Sequence, residues 1–216
     1  MHTLNKTLEN LRVSYLSAKL DTLDCHPDPC IQFTNWFNEA LSAQVEEPNA
    51  FTLSTVSANR PRARILLLKG VYEDRFTFFT NYNSSKGSEI AANPNVSLTF
   101  LWLPLQRQVR IEGVAKKVDE NISDDYFSKR PRGSQLGAIA SPQSKKLESR
   151  EVLEKMFEEV ENKFLNIESL PRPKNWGGYE VEPNYIEFWQ GRNNRMHDRI
   201  CYEKLNGIWT MSRLAP

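Results

Sequence analysis

The stretch from Ala50 to Val118 constrains the fold more than any other part of the chain. It holds five short runs, Ala50–Ser57, 62–69, 75–80, 96–102 and 108–118, each rich in β-branched and aromatic residues. Turn formers separate them: Asn59, Gly70, Glu73-Asp74, Asn93-Pro94 and Pro104. Runs this short with tight connections predict an antiparallel sheet or barrel. A helix is expected to interrupt them over Ser85–Ala92. More strands are expected near 179–190, 195–202 and 209–214.

Helical periodicity appears on both sides of this region. Leu4, Leu8, Leu11 and Tyr15 form one amphipathic stripe. Asp28-Pro29 reads as an N-cap followed by proline in the first turn, and Phe33, Trp36, Phe37, Ala40 and Leu41 give the helix that follows a packing face. A short helix is predicted over 124–130. Ser149 caps a longer one carrying the stripe Leu153, Met156, Phe157, Val160 and Phe164, and Leu170-Pro171-Arg172-Pro173 closes it. The expected class is mainly β with flanking α, arranged as a single domain overall.

Composition excludes several functions. A net charge of +1 in 216 residues gives no global field toward nucleic acid or an anionic membrane. No apolar run reaches the roughly 20 residues needed to span a bilayer, and none in the first twenty resembles a signal-peptide core, so a cytoplasmic protein is expected. The three cysteines, Cys25, Cys30 and Cys201, form neither a disulfide framework nor a zinc pattern, and no metal is expected. There is no G-x-G-x-x-G, P-loop or G-x-S-x-G elbow.

Against this neutral background, basic side chains cluster locally. In an extended strand Arg64 shares one face with Leu66 and Leu68, while Lys69 shares the other with Ile65 and Leu67, so the two cations suit two separate anions unless the strand ends or bulges at Lys69. A solvated strand end is the simpler alternative. Arg195, His197 and Arg199 alternate with Met196, Asp198 and Ile200, so an extended backbone puts all three on one face, ready for a phosphate, a carboxylate or an electron-rich ring. Pairing with Asp198 or Glu187 is the competing account. Tyr126 and Arg130 are four apart on a helical face, and Ser134 follows Pro131 where a helix can begin. Gln143 and Ser144 form a polar pair in a similar setting. Several phosphate-ready groups without a nucleotide loop point to phosphorylated small molecules held by side chains.

Taken in order, seven runs resemble the pyridoxine/pyridoxamine 5′-phosphate oxidase family. They are Arg64-Ile-Leu-Leu-Leu-Lys69, Gln106-Arg-Gln-Val-Arg110, Tyr126-Phe-Ser-Lys-Arg-Pro-Arg132 with Ser134-Gln135, Trp176-Gly-Gly178, Glu187-Phe-Trp-Gln-Gly191, Arg195-Met-His-Asp-Arg199 and the ending Arg213-Leu-Ala-Pro216. The resemblance implies an FMN-binding split β-barrel at residues 49–216, preceded by a helical segment and substrate lid at 1–48, in a homodimer. It implies oxidation of pyridoxamine 5′-phosphate and pyridoxine 5′-phosphate to pyridoxal 5′-phosphate, with O2 reduced to hydrogen peroxide.

Roles carry over by position. Arg64, Ile65, Leu66, Leu67, Phe79, Thr80, Ser85, Lys86, Gln108, Gln143, Ser144, Trp189 and Arg199 match FMN-binding positions. Lys69, Tyr126, Arg130 and Ser134 match the groups holding the substrate phosphate. Arg195 and His197 match the catalytic residues over the pyridine ring, and Arg12 and Tyr15 the closing lid. Ser85 departs from the family, which usually carries Arg there. That departure motivates an alternative, a non-catalytic split-barrel protein that holds FMN or pyridoxal phosphate. A flavin reductase using NAD(P)H lacks support from the substrate-type residues, and a nucleic-acid module lacks an aromatic-interleaved basic stripe beyond Arg107–Lys117.

Overall fold

The computed structural model of the chain describes residue 5 and residues 19–216. The stripe through Leu4, Leu8, Leu11 and Tyr15, with Arg12, lies outside the described residues. Nine strands follow in chain order: β1 (Ala50–Ser57), β2 (Arg60–Leu67), β3 (Gly70–Tyr72), β4 (Arg75–Asn81), β5 (Asn95–Trp102), β6 (Arg107–Lys117), β7 (Trp176–Gln190), β8 (Asp198–Leu205) and β9 (Ile208–Leu214). Among the described residues five α-helices accompany them: α1 (Pro29–Ser42), α2 (Ser85–Ala92), α3 (Glu120–Ser128), α4 (Arg132–Ala140) and α5 (Arg150–Lys163). The sheet runs β2-β1-β5-β6-β7-β4-β3, with β8 on β7 and β9 on β8. The path does not close on itself, and the pairings β1–β2, β1–β5, β3–β4, β4–β7, β7–β8 and β8–β9 are all antiparallel. The mainly antiparallel class expected from the run pattern is therefore what the chain adopts.

The chain divides into two compact units. The first comprises the described residues up to Pro48, Phe100–Arg110 and Tyr185–Pro216; the second comprises Asn49–Thr99 and Ile111–Asn184.

In the first unit, Asp28 caps α1 as its sequence predicts, its Oδ1 accepting from the N–H groups of Cys30 at 2.7 Å and Ile31 at 3.2 Å. Phe33, Trp36 and Ala40 are buried. Phe33 meets Phe100 edge-on at 5.1 Å, and Trp36 meets Phe188 in the same manner at 5.1 Å. Each ring so buried contributes about 2–3 kcal/mol. Leu41 departs from the expected face and is exposed. One residue beyond Ala40 is a 100° rotation on a helix, enough to turn it to solvent.

In the second unit β1 shows the alternation of a half-buried strand, with Phe51, Leu53 and Thr55 buried. Phe51 packs edge-on to Phe78 of β4 at 5.9 Å. A second cluster joins Phe127, Leu136, Leu170 and Trp176 to the half-buried Phe79, Phe157, Val160 and Phe164. The last three come from the predicted α5 stripe, and Ser149 caps that helix by accepting from Val152. Two glycines permit close approaches that position the site. A Cβ on Gly87 would lie 2.1 Å from the Tyr82 carbonyl oxygen, and one on Gly178 would lie 2.8 Å from the Phe79 ring. Gly87 thus lets the start of α2 press against the chain leaving β4, and Gly178 lets Phe79 lie flat over β7.

Candidate active site

Two basic constellations form, one in each unit. In the second unit β2 presents Arg64 inward, opposite Leu53 of β1. Its Nη1 donates to Thr55 Oγ1 at 2.6 Å and its Nη2 to Glu89 Oε2 on α2 at 2.6 Å. Burial opposes ionisation of Glu89. Hydrogen bonds from Thr55 and Arg64, with the charges of Arg64 and Arg62, override it and hold the carboxyl below its ordinary range. Ser84 caps α2, accepting from Gly87 N–H at 3.3 Å. Beyond the cap, Lys86 is 7% exposed. Its ammonium donates to two hydroxyls, Thr80 at 3.2 Å and Ser84 at 3.4 Å. Burial pulls its pKa down and the Arg64 charge adds to this, against Glu89. A cation held among hydroxyls in a desolvated place favours an anionic ligand.

Thr80 in turn donates to Gln143 Oε1 at 3.4 Å. A groove of about 850 Å³ beside these groups is lined by Arg64, Ser85, Ser144, Arg62 and Lys145 among others. The structure therefore brings together Arg64, Thr80, Ser85, Lys86, Gln143 and Ser144. Gln143 and Ser144 sit in the loop after α4 and not at a helix start; Ser144 has φ 70°. Of the expected backbone run, Ile65 is exposed and Leu66 and Leu67 are half-buried, and β2 stops at Leu67, before Lys69. Lys69 is exposed, and its N–H donates to the Thr77 carbonyl at 2.8 Å.

The same unit builds an aromatic stack. Tyr126 of α3 lies on Phe79 with ring centroids 3.9 Å apart and planes 14° apart, and Trp176 lies 5.6 Å from Phe79 in a similar plane. Arg130 sits just past the end of α3, with its guanidinium carbon 4.6 Å from the Trp176 ring centroid. Its Nη1 is buried and has no hydrogen-bond partner among the described residues. Burial lowers the Arg130 pKa, Tyr126 working against that, and raises the Tyr126 pKa, with Arg130 opposing. An orphaned, desolvated guanidinium N–H is the signature of a seat for an anion. Ser134 is exposed in the first turn of α4, near N–H groups that suit an anion by position.

In the first unit the expected three-residue basic face does not form. β8 begins only at Asp198, and Asn193–Arg195 is a 3-10 turn in which Asn194 has φ 56° and Arg195 φ 61°. Two successive left-handed residues break the alternation that would have aligned Arg195, His197 and Arg199. Arg195 is exposed. His197 is half-buried, 4.6 Å from the Trp189 ring. Its Nδ1 accepts from the Arg192 N–H at 3.0 Å, which assigns the neutral ring's proton to Nε2. Burial and then the Arg195 charge hold the His197 pKa below its ordinary value.

Arg199 is engaged differently. Its Nε donates to Glu187 Oε1 at 2.8 Å and its Nη2 to Oε2 at 3.0 Å, so the pairing with Glu187 that competed in the sequence is present. Glu187 is 2% exposed and also accepts from Tyr185 Oη at 3.0 Å, with Arg110 at 3.6 Å. Burial opposes its ionisation, but Arg199, Tyr185 and Arg110 keep its pKa low. Gln108 of β6 is half-buried. Sequence reasoning placed Trp176 in a motif but missed it as the plate under Arg130, and missed Thr55, Glu89 and Ser84 as partners of the cations. Only the Ser84 cap, just ahead of the predicted helix, left a readable signal.

The donor set suits FMN: a buried ammonium among hydroxyls answers a phosphate, and half-buried aromatic rings answer a flat heterocycle. The chain also resembles known proteins. Residues 37–164 match the family model described as pyridoxamine 5′-phosphate oxidase, and 176–216 match the pyridoxine 5′-phosphate oxidase C-terminal dimerisation region. The chain is 53% identical to the pyridoxine/pyridoxamine 5′-phosphate oxidase of Burkholderia thailandensis, over 97% of this chain and 99% of that one. It is 50% identical to the protein of that name from Cupriavidus metallidurans, with the same shares covered. Among solved structures, PhzG from Burkholderia lata, in complex with tetrahydrophenazine-1-carboxylic acid, superposes with TM-score 0.87 at 29% identity, covering 94% of this chain and all of that one. A pyridoxamine 5′-phosphate oxidase-related, FMN-binding protein of Nostoc punctiforme shares the fold, with TM-score 0.70 at 17% identity over 92% of this chain and all of that one. Among the described residues, no helix is long and apolar enough to cross a membrane.

Proposed function

Because the chain belongs to the pyridoxine/pyridoxamine 5′-phosphate oxidase family, we propose that it oxidises pyridoxamine 5′-phosphate and pyridoxine 5′-phosphate to pyridoxal 5′-phosphate, in a homodimer that carries FMN. The observation that carries this reading is the orphaned Nη1 of Arg130 over the Trp176 ring. It asks for an anion next to an aromatic surface, and a pyridoxine phosphate supplies both an anion and a flat ring.

Arg64, Thr80, Ser85, Lys86, Gln143 and Ser144 hold the flavin phosphate and its chain; Phe79, Gln108, Trp189, Arg199 and the strand at Ile65, Leu66 and Leu67 serve the rest of FMN. Bound there, FMN would supply the two-electron redox chemistry of the oxidation, with O2 as the final acceptor. Lys69, Tyr126, Arg130 and Ser134 fix the substrate phosphate and so set the reach of its ring. His197, neutral with its proton on Nε2, is a donor to a substrate oxygen. Arg195 orients the ring and stabilises the charge that develops on it as C4′ is oxidised. Arg12 and Tyr15 form the lid.

The purified protein should be yellow, and pyridoxamine 5′-phosphate added without oxygen should bleach the flavin band. A colourless protein that stays inactive at saturating FMN would refute the reading. The likeness to PhzG favours a second one, a larger aromatic acid as substrate. Tetrahydrophenazine-1-carboxylic acid bleaching the flavin faster than pyridoxamine 5′-phosphate would select it. If the protein instead only holds FMN or pyridoxal phosphate, peroxide will not accumulate beyond one equivalent.

A further inference from the structure

The groove in the second unit is lined by three cationic side chains, Arg62, Arg64 and Lys145, and one carboxylate, Glu89. It runs along the β1–β2 hairpin and the start of α2, and Arg62, Arg64, Ser85, Glu89, Ser144 and Lys145 line it. β2 alternates, so Arg62 and Arg64 project to the same side. Their situations differ. Arg64 is tied to Glu89 at 2.6 Å, and one charge cancels the other. Arg62 is exposed, and no ion pair engages it among the described residues.

A phosphate monoester carries a charge of roughly −1.5 to −2. Lys86 answers about one of these. Arg64 adds little net charge beyond Glu89, and Ser85, the first residue of α2, offers a hydroxyl without charge. That count leaves up to about one negative charge unanswered, and Arg62 stands on the wall of the groove with Arg64 and Ser85, the residue before Lys86. The Arg62 charge already reaches into it, since it is one of those that hold the Glu89 carboxyl low, after the hydrogen bonds of Thr55 and Arg64 and the Arg64 charge have overridden burial. Lys145 also lines the groove, but from the loop after α4, with no strand to fix its direction.

Resting on the reading of this chain as an FMN enzyme, we infer that Arg62 is the second cationic contact to the FMN phosphate and makes this protein select FMN over unphosphorylated riboflavin. Ser85 keeps the entrance to the seat open, and a long guanidinium from the neighbouring strand fills the place of a charge on the helix.

The test is flavin fluorescence quenching on the full chain stripped of flavin, titrated with FMN and with riboflavin. Arg62→Ala should raise the FMN Kd by about ten- to a hundredfold, the effect of one charge-assisted hydrogen bond. It should leave the riboflavin Kd unchanged, and Arg62→Lys should recover most of the loss. Equal weakening toward both flavins would overturn the inference, because Arg62 would then only shape the groove. So would wild-type FMN affinity in Arg62→Ala, and a loss found instead in Lys145→Ala would move the contact to the loop. If the unaltered protein binds neither flavin, the functional reading fails together with the inference, whereas tight FMN binding that ignores Arg62 sinks the inference alone.

Discussion

Exchanging Arg130 for Met tests whether the second unit is built around an absent anion. Met keeps a flexible apolar chain against Trp176 and Phe127 but removes the charge. Without ligand, the buried Nη1 has no hydrogen-bond partner among the described residues, a deficit of about 1–3 kcal/mol. The Trp176 ring, 4.6 Å away, offsets about 0.5–1 kcal/mol of that through its π face. The ligand-free variant should therefore be more stable than the parent by roughly 0–2 kcal/mol. Binding should move the other way, losing about 1.5–3 kcal/mol, or roughly ten- to a hundred-and-fiftyfold in Kd for a phosphorylated ligand. Urea denaturation reads both quantities. Pyridoxal 5′-phosphate at a hundred times the parent Kd should protect the parent by about 2.7 kcal/mol, and the variant by less than about 1.5. A variant that is destabilised by more than about 1 kcal/mol without ligand, and that pyridoxal 5′-phosphate still protects as fully as the parent, would show Arg130 to be a structural cation.

Other consequences can be checked directly. His197 should titrate by NMR below the ordinary histidine value, and Arg195→Leu should raise its midpoint only partway, because burial is the larger cause. Since the folded state disfavours His197 protonation, its contribution to stability is present above the unfolded pKa near 6.5 and is lost as pH falls toward the folded value. A midpoint at or above the ordinary value would contradict the assigned surroundings. Glu187→Gln leaves Arg199 and Arg110 without their shared carboxylate and should destabilise by about 2–4 kcal/mol, the partial exposure of both arginines keeping the loss below that of a fully buried pair. The parent's Glu187 contribution should hold above about pH 4.5 and fall away as pH drops through the lower folded pKa, a slope that the variant lacks. Gly87→Ala forces a Cβ to within 2.1 Å of a backbone oxygen and should cost several kcal/mol, about 3 or more, by thermal melting; a melting temperature within a degree of the parent would show that the α2 start is not tightly seated.

What could be read in advance follows from the range of each interaction. The strands were legible because β-branched and aromatic runs alternate over neighbours, as in Phe51, Leu53 and Thr55. The caps at Asp28 and Ser149 were legible because a cap bonds within three residues. Parity reaches only as far as the strand does: Arg64 is tied inward to Thr55 and Glu89, but β2 stops at Leu67, so alternation does not set the side of the exposed Lys69. Parity failed at Arg195 and His197 because left-handed backbone at Asn194 and Arg195 interrupts it, and nothing in the residue types of Asn193-Asn194-Arg195 fixes where a strand resumes. The Tyr126–Phe79 stack and the plate under Arg130 join positions dozens of residues apart. Their order in the chain implied a family resemblance, but the contacts themselves exist only once the sheet brings β4 and β7 side by side.

The bond between Glu187 and Arg199 also ties the β7–β8 ribbon to one register. In the β7–β8 pairing Trp189 faces Arg199 and Glu187 faces Cys201. A slip of one residue would turn Arg199 to the opposite surface of the ribbon and bring Asp198 or Ile200 toward the buried carboxylate, a repulsive or a mute neighbour in place of a two-pronged one. Misaligned ribbons are thereby disfavoured, and the native register sets the loop carrying Arg195 and His197 beside Trp189.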